Sequence, residues 1–165
     1  MLNKNERIFI AGATGMVGSA VKRSFLKENS ELNGSNHILL TPSRKELDLF
    51  DLVAVKNWFL RNKPTIVIMA AAKVGGIHCN SYYPADFLIK NLKIQTNLIE
   101  SAYLNKVKRL LFLGSSCIYP KNSSCPIKEE LLMEGKLEPT NEYYALAKIT
   151  GLKLCESLRK QYGFD

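Results

Sequence analysis

The run Arg7-Ile8-Phe9-Ile10-Ala11 leads straight into Gly12-Ala13-Thr14-Gly15-Met16-Val17-Gly18, after which Met16, Val17, Ala20, Val21 and Phe25 recur at helical spacing. A β-type run, a glycine turn and an amphipathic helix in that order leave a chain few folds to choose from. Such a unit opens a parallel sheet, and in that context the glycine pattern reads as a dinucleotide-binding turn. Gly12 permits the tight turn, Gly15 lets a pyrophosphate approach the backbone, and Gly18 allows the helix to pack closely on the strand. Thr14, Met16 and Val17 stand where unpaired N–H groups and the partial positive charge of the helix N-terminus attract phosphates. The alternative is a glycine-rich turn with no ligand. The spacing here is G-x-x-G-x-x-G, not the commoner G-x-G-x-x-G.

The same alternation continues. After a polar stretch containing Asn33-Gly34-Ser35, a loop signal, His37-Ile38-Leu39-Leu40 reads as a second strand. Residues 52–60 read as a helix, residues 64–72 as a third strand, and residues 73–80 as a glycine-containing loop in which His78 faces solvent. Pro84 starts a long helix through Phe87, Leu88, Asn91, Ile94, Leu98, Ile99 and Tyr103. Its interior Asn91 and Asn97 either hold backbone carbonyls near a site or face solvent. Residues 108–113 read as a fourth strand, and a last helix runs past Tyr144, Lys148, Leu152 and Leu158 to Gln161. The class is therefore α/β: a Rossmann-like parallel sheet with helices on both faces, in one domain over residues 1–165. In the expected strand order 3-2-1-4, the strand at 108–113 has no outer neighbour and presents an apolar edge.

The strand ends carry the candidate ligand contacts. After the second strand come Thr41-Pro42-Ser43-Arg44-Lys45, where an acidic residue is expected to hold the ribose of NAD. A guanidinium and an ammonium there favour the extra 2′-phosphate of NADP. The alternative is two solvated surface cations. Asp48 offers a carboxylate to an adenine amino group, and Asp51 is an alternative helix cap. Ala70-Ala71-Ala72 at the end of the third strand leave room for a flat ligand against the backbone.

Bulk properties exclude other classes. A net charge of +8 suggests nucleic acid, but the cations are scattered, with no basic run or aromatic-interleaved stripe. The apolar runs are too short to span a bilayer, and residues 1–7 lack the apolar core of a signal peptide, so a cytoplasmic location is expected. The cysteines, Cys79, Cys117, Cys125 and Cys155, form no C-x-x-C pair and no metal-ligand spacing, so neither a disulfide framework nor a structural metal is expected.

The reactive groups converge on one strand end and one helix. The run Leu110-Leu111-Phe112-Leu113 breaks into Gly114-Ser115-Ser116-Cys117-Ile118-Tyr119-Pro120, delivering hydroxyls and a thiol at the carboxyl end of a buried strand. Tyr144 and Lys148 lie four apart and so share a helix face. An ammonium beside a phenol lowers its pKa, which makes the pair a general acid for a carbonyl oxygen that Ser115 can share. On its residue type alone, Cys117 reads as a buried structural cysteine.

These segments together resemble the extended short-chain dehydrogenase/reductases. The carriers are residues 12–18, Lys73-Val74-Gly75-Gly76-Ile77, Tyr83-Pro84-Ala85-Asp86-Phe87, residues 113–121, Leu137-Glu138-Pro139-Thr140-Asn141-Glu142 and Tyr144-Ala145-Leu146-Ala147-Lys148. The narrow Ser-Ser-Cys-Ile-Tyr-Pro tract points within that family to NADPH-dependent epimerase-reductases of a GDP-linked 4-keto-6-deoxy-mannose. The resemblance implies a Ser115, Tyr144 and Lys148 reductase triad, with Tyr144 and Lys148 also touching NADP(H). It further implies Ser116 lining the substrate site and Cys117 as the base that removes protons α to the ketone. It implies a GDP-sugar as substrate and a homodimer through the two long helices, with no nucleic-acid or membrane partner. Many relatives carry a basic residue inside the glycine turn, where this chain has Ala13-Thr14, so selection of NADP rests more heavily on Arg44, with Lys45 beside it as the alternative. The family is roughly twice as long, in keeping with a full domain plus a substrate lobe. Its epimerisation acid, a histidine, lies beyond Asp165. The chain is thus expected to be an N-terminal portion, truncated before the last strands and the substrate lobe, and poorly soluble or inactive alone. The alternatives are another nucleotide-sugar epimerase or dehydratase, or an NADP-binding fragment without turnover.

Overall fold

The computed structural model of the protein describes residues 6–31 and 37–165. Residues 1–5 and the expected loop at Asn33-Gly34-Ser35 lie outside the described residues. Strand β1 (Arg7–Ala11) is central, with β2 (Ile38–Leu40) on one side and β3 (Ile66–Met69) on the other, and β4 (Arg109–Phe112) outside β3. Every pair is parallel, with Phe9 level with Leu40 and Val67, and Met69 level with Phe112. The helices are α1 (Met16–Glu31), α2 (Leu52–Asn62), α3 (Ile77–Tyr82), α4 (Pro84–Leu104) and α5 (Glu142–Tyr162).

The period-two alternation of β1 and β3 builds two cores. Phe9, Ala11, Val67 and Met69 face one way, against Val55, Trp58 and Phe59 of α2 and Ile94, Leu98 and Ile99 of α4. The Phe9 and Trp58 rings lie 4.3 Å apart. Ile8, Ile10, Ile66 and Ile68 face the other way, against Val21 and Phe25 of α1. Burying each such side chain contributes about 1.5–3 kcal/mol. Strands buried on both faces are the reason these runs read as nearly continuous apolar sequence.

The strand order differs from the expected 3-2-1-4. The third strand in the chain returns to pair with β1, and β4 pairs with β3 instead of β1. The cause lies between β2 and α2. The Glu46 carboxylate there accepts from the Ser43 N–H at 2.7 Å, holding a helical turn. The Asp51 carboxylate then caps α2 by accepting from the Ala54 N–H at 3.0 Å. That segment adds no strand outside β2, so the next crossover lands on β1. The order in which strands are added consequently reverses between β1 and β3, the crevice where open α/β sheets bind ligands.

Other boundaries shift modestly. The third strand is four residues long, so Ala70–72 lie just past its end, and α2 extends beyond residue 60. The expected loop at 73–80 contains the start of α3, with His78 exposed on that helix and stacked on Tyr82. The β4 strand is the last in the sheet, and its Leu110 N–H donates to the Asp165 carbonyl at 2.9 Å. Among the described residues no helix is long and apolar enough to cross a membrane.

Candidate active site

A cleft of about 460 Å³ opens at the carboxyl ends of β1, β2 and β3. Gly12, Thr14, Gly15, Met16 and Val17 line one wall, Arg44, Asp48 and Phe50 another, and Ala70, Ala71, Ala72 and Lys73 the third. The turn is shaped for close approach. Gly12 has φ +84°, and a Cβ there would stand 2.7 Å from the Ala71 nitrogen. A Cβ on Gly18 would run into the Gly12 carbonyl, so Gly18 does not line the cleft but lets α1 seat against the turn. A dinucleotide fits these residues: the backbone is bare on the glycine side, the opposite wall is three alanines, and α1 begins at the turn.

At the end of β2, Arg44 lines the cleft and Lys45 does not. The Arg44 guanidinium lies over the Phe50 ring, 5.5 Å from its centroid. Asp48 also lines the cleft, with one carboxylate oxygen accepting from the Phe50 N–H at 3.0 Å.

Residues that sequence reasoning left open or passed over hold the third wall. Asn91, buried in α4, accepts from the Lys73 N–H at 2.8 Å and donates to the carbonyls of Lys73 at 3.0 Å and Phe87 at 2.7 Å. Its amide thus locks the peptide after the alanines, while Asn97 donates to the Leu49 carbonyl at 2.9 Å. Lys73 stands 5.6 Å from the Phe87 centroid, and Phe87 meets Tyr144 edge to face at 6.4 Å. The only sequence signal for this wall was an asparagine inside a helix.

The reactive cluster lies past β4. Ser115 is extended and precedes a 3-10 turn, Ser116–Ile118, that buries Ile118 and leaves Ser116 exposed. The Cys117 thiol donates to the Ser115 hydroxyl at 3.2 Å, and both residues are half-buried, so Cys117 is not the buried structural cysteine its residue type suggested. Lys148, 5 % exposed, donates from Nζ to the Leu113 carbonyl at 2.8 Å. Its ammonium lies 4.9 Å from the Phe112 centroid and 5.9 Å from that of Tyr144. The structure therefore brings Ser115, Cys117, Tyr144 and Lys148 together.

The electrostatics reverse one expectation. The Tyr144 phenol is pushed above its ordinary range, chiefly by burial and then by the Cys117 charge, with the Ser115 hydroxyl opposing. Burial likewise pushes Lys148 down, partly offset by Cys117. Desolvation outweighs any lowering of the phenol by the ammonium, which is bound to the Leu113 carbonyl. Tyr144 is thus a neutral proton donor here, suited to giving a proton to an oxygen. Cys155, by contrast, packs against the core and is pushed up to about 11 by burial.

A parallel sheet with a glycine cradle at its reversal point and a Ser/Tyr/Lys cluster beside it defines a class, and comparison agrees. A family profile described as NAD dependent epimerase/dehydratase matches residues 8–165, and the chain belongs to that family. It is similar to GDP-L-fucose synthase 1 of Arabidopsis thaliana, 53% identical over 165 residues, covering 100% of this chain and 49% of that protein. It is also similar to GDP-L-fucose synthase of Escherichia coli (strain K12), 51% identical, covering 97% of this chain and 48% of that protein. Among solved structures it resembles MlghC, a GDP-mannoheptose C4 reductase from Campylobacter jejuni with NADP bound. That match has a TM-score of 0.92 and 38% identity, over 100% of this chain and 50% of the other. The chain spans about half the length of the curated relatives it matches.

Proposed function

We propose that residues 1–165 form the NADP(H)-binding domain of an epimerase-reductase that converts GDP-4-keto-6-deoxy-D-mannose to GDP-L-fucose in the cytoplasm. The observation carrying this reading is the Cys117 thiol 3.2 Å from the Ser115 hydroxyl, in a cluster with Tyr144 and Lys148. An epimerase-reductase needs both a base for carbon acids and an acid for the ketone oxygen, and this cluster supplies a candidate for each. The names of the relatives, and the NADP bound to MlghC, support the substrate and the cofactor.

Gly12, Thr14, Gly15, Met16 and Val17 would hold the pyrophosphate, with Gly18 seating α1 against the turn, Arg44 the 2′-phosphate, Asp48 the adenine, and Ala70, Ala71 and Ala72 the flat rings. Tyr144 and Lys148 would contact the reacting end. The chemistry supplied by the bound cofactor is hydride donation to a carbonyl carbon. Tyr144 gives its proton to the carbonyl oxygen, and Ser115 donates a hydrogen bond to the same oxygen. Lys148, bound to the Leu113 carbonyl, orients that end of the site. Ser116 lines the sugar, and Cys117 as thiolate removes the protons that the ketone acidifies. The outer faces of α4 and α5, carrying exposed Ile89, Tyr143 and Leu146, would pair with a second copy.

The test uses the protein produced in its own host, with GDP-4-keto-6-deoxy-D-mannose and NADPH in deuterated water. The expected result is NADPH consumption with deuterium entering at the carbons flanking the ketone. Cys117→Ser should stop deuterium uptake while reduction continues, and Tyr144→Phe should stop reduction. No NADPH consumption by the unaltered protein would overturn the reading. Deuterium uptake that survives Cys117→Ser would favour another nucleotide-sugar epimerase or dehydratase. For the 165-residue chain taken alone, the half-length coverage of its relatives favours cofactor binding without turnover.

A further inference from the structure

Three contacts fix the segment after β2. The Ser43 N–H donates to the Glu46 carboxylate at 2.7 Å, while the N–H groups of Glu46 and Leu47 both donate to the Ser43 carbonyl. The Glu46 carboxylate thus reaches back to the Ser43 N–H, as the acid of a capping box does, around one helical turn. The turn carries Arg44. Its guanidinium rests on Phe50, and Phe50 is itself packed against the main core, making a fixed platform rather than a mobile surface ring. The backbone hydrogen bond from Ser43 keeps the Glu46 carboxyl below the usual carboxylate range, so it is ionised at neutral pH.

We infer that Glu46 and Phe50 are positioning residues that set a preference for NADPH over NADH, by presenting the Arg44 guanidinium to the 2′-phosphate. The inference rests on the reading of Arg44 as the 2′-phosphate contact. Arg44 is otherwise a long exposed side chain, and ordering it only when the cofactor arrives costs affinity. A capped turn below it and an aromatic face beneath it reduce that cost. Asp48, the acid that lines this wall, accepts from the Phe50 N–H and steadies the same platform.

The role of Glu46 has a diagnostic sign. An acid near a bound phosphate acts through charge by repelling it, so its removal should strengthen NADPH binding. Glu46 acting as a cap predicts the reverse for Glu46→Ala, because the turn loses its acceptor. Glu46→Gln keeps an acceptor and removes the charge.

The experiment titrates the chain calorimetrically with NADPH and with NADH and reads the ratio of the two affinities, with NADH reporting whether each variant keeps the cleft. Phe50→Leu should lower the ratio about 2–5-fold, the value of an exposed cation–π contact. Glu46→Ala should lower it as well, and Glu46→Gln should hold or raise it. Arg44→Ala separates the two levels of the claim. If it lowers the ratio while Phe50→Leu and Glu46→Ala do not, Arg44 stands and the positioning roles are overturned. If Arg44→Ala leaves the ratio alone, the reading of Arg44 fails, and the inference falls with it. A rise in NADPH affinity for Glu46→Ala equal to that for Glu46→Gln would also overturn the capping role.

Discussion

At the scale of single residues, burial decides the chemistry of Tyr144. Its phenol titrates above the ordinary value of 10.0, because ionising it would place a charge in a desolvated site. Above pH 10 the folded protein therefore holds a proton that the unfolded chain has released, and stability falls as pH rises through that window. In tyrosine absorbance titrations of the protein and of Tyr144→Phe, the difference between the two should be a phenol that ionises above pH 10. A difference that appears well below pH 10 would contradict this. Gly12 gives a second residue-scale expectation. With φ +84° and Ala71 so close, Gly12→Ala should destabilise the fold by about 1–3 kcal/mol in denaturant titrations and abolish dinucleotide binding. The identity of the clustered residues was legible as motifs, since glycine spacing and a Tyr/Lys pair are written locally. The direction of the Tyr144 shift was not, because it depends on how deeply α5 is buried against β4.

At the scale of elements, the packing of α4 on α5 sets the height of Lys148. Gln95, buried in α4, donates to the Ala147 carbonyl of α5 at 2.7 Å. A Cβ on Gly151 would stand 2.5 Å from the Phe112 ring and 2.8 Å from the Gln95 amide oxygen. Helix propensity alone says Gly151→Ala should stabilise α5 by about 1 kcal/mol. Overpacking at this crossing costs about 1–3 kcal/mol, and it presses on the ring beneath Lys148. A net loss of stability is therefore expected in thermal melts, and a gain would contradict this view of the interface. Asn91 carries a parallel expectation. Asn91→Leu leaves the Lys73 peptide without its partners, at a cost of about 1–3 kcal/mol, and should loosen cofactor binding. The sequence marked Asn91 only as a polar residue in an apolar helix. Its partner lies 18 positions away, so no local pattern connects them.

At the scale of the whole molecule, the arrangement of layers was legible and the strand order was not. Alternation of apolar runs and amphipathic helices announces a parallel α/β sheet. Whether a segment adds a strand outside β2 or turns directly into α2 is not written in the period of its residues; here the Glu46 turn and the Asp51 cap occupy that segment. The outcome leaves β4 last in the sheet, with Leu111 50% exposed on the face that α1 covers only near β1 and β3. An exposed apolar edge of this kind promotes association. Leu111→Lys should therefore reduce light scattering by concentrated chain, and unchanged scattering would assign any association to another surface. On the proposed reading, residues 1–165 form a dinucleotide cleft by themselves and prefer NADPH over NADH. Calorimetric titration of the 165-residue chain with NADPH and NADH tests it most directly. The expected result is saturable one-to-one binding, tighter for NADPH, and lost in Gly12→Val. Absence of binding, or equal affinity for the two cofactors, would contradict it.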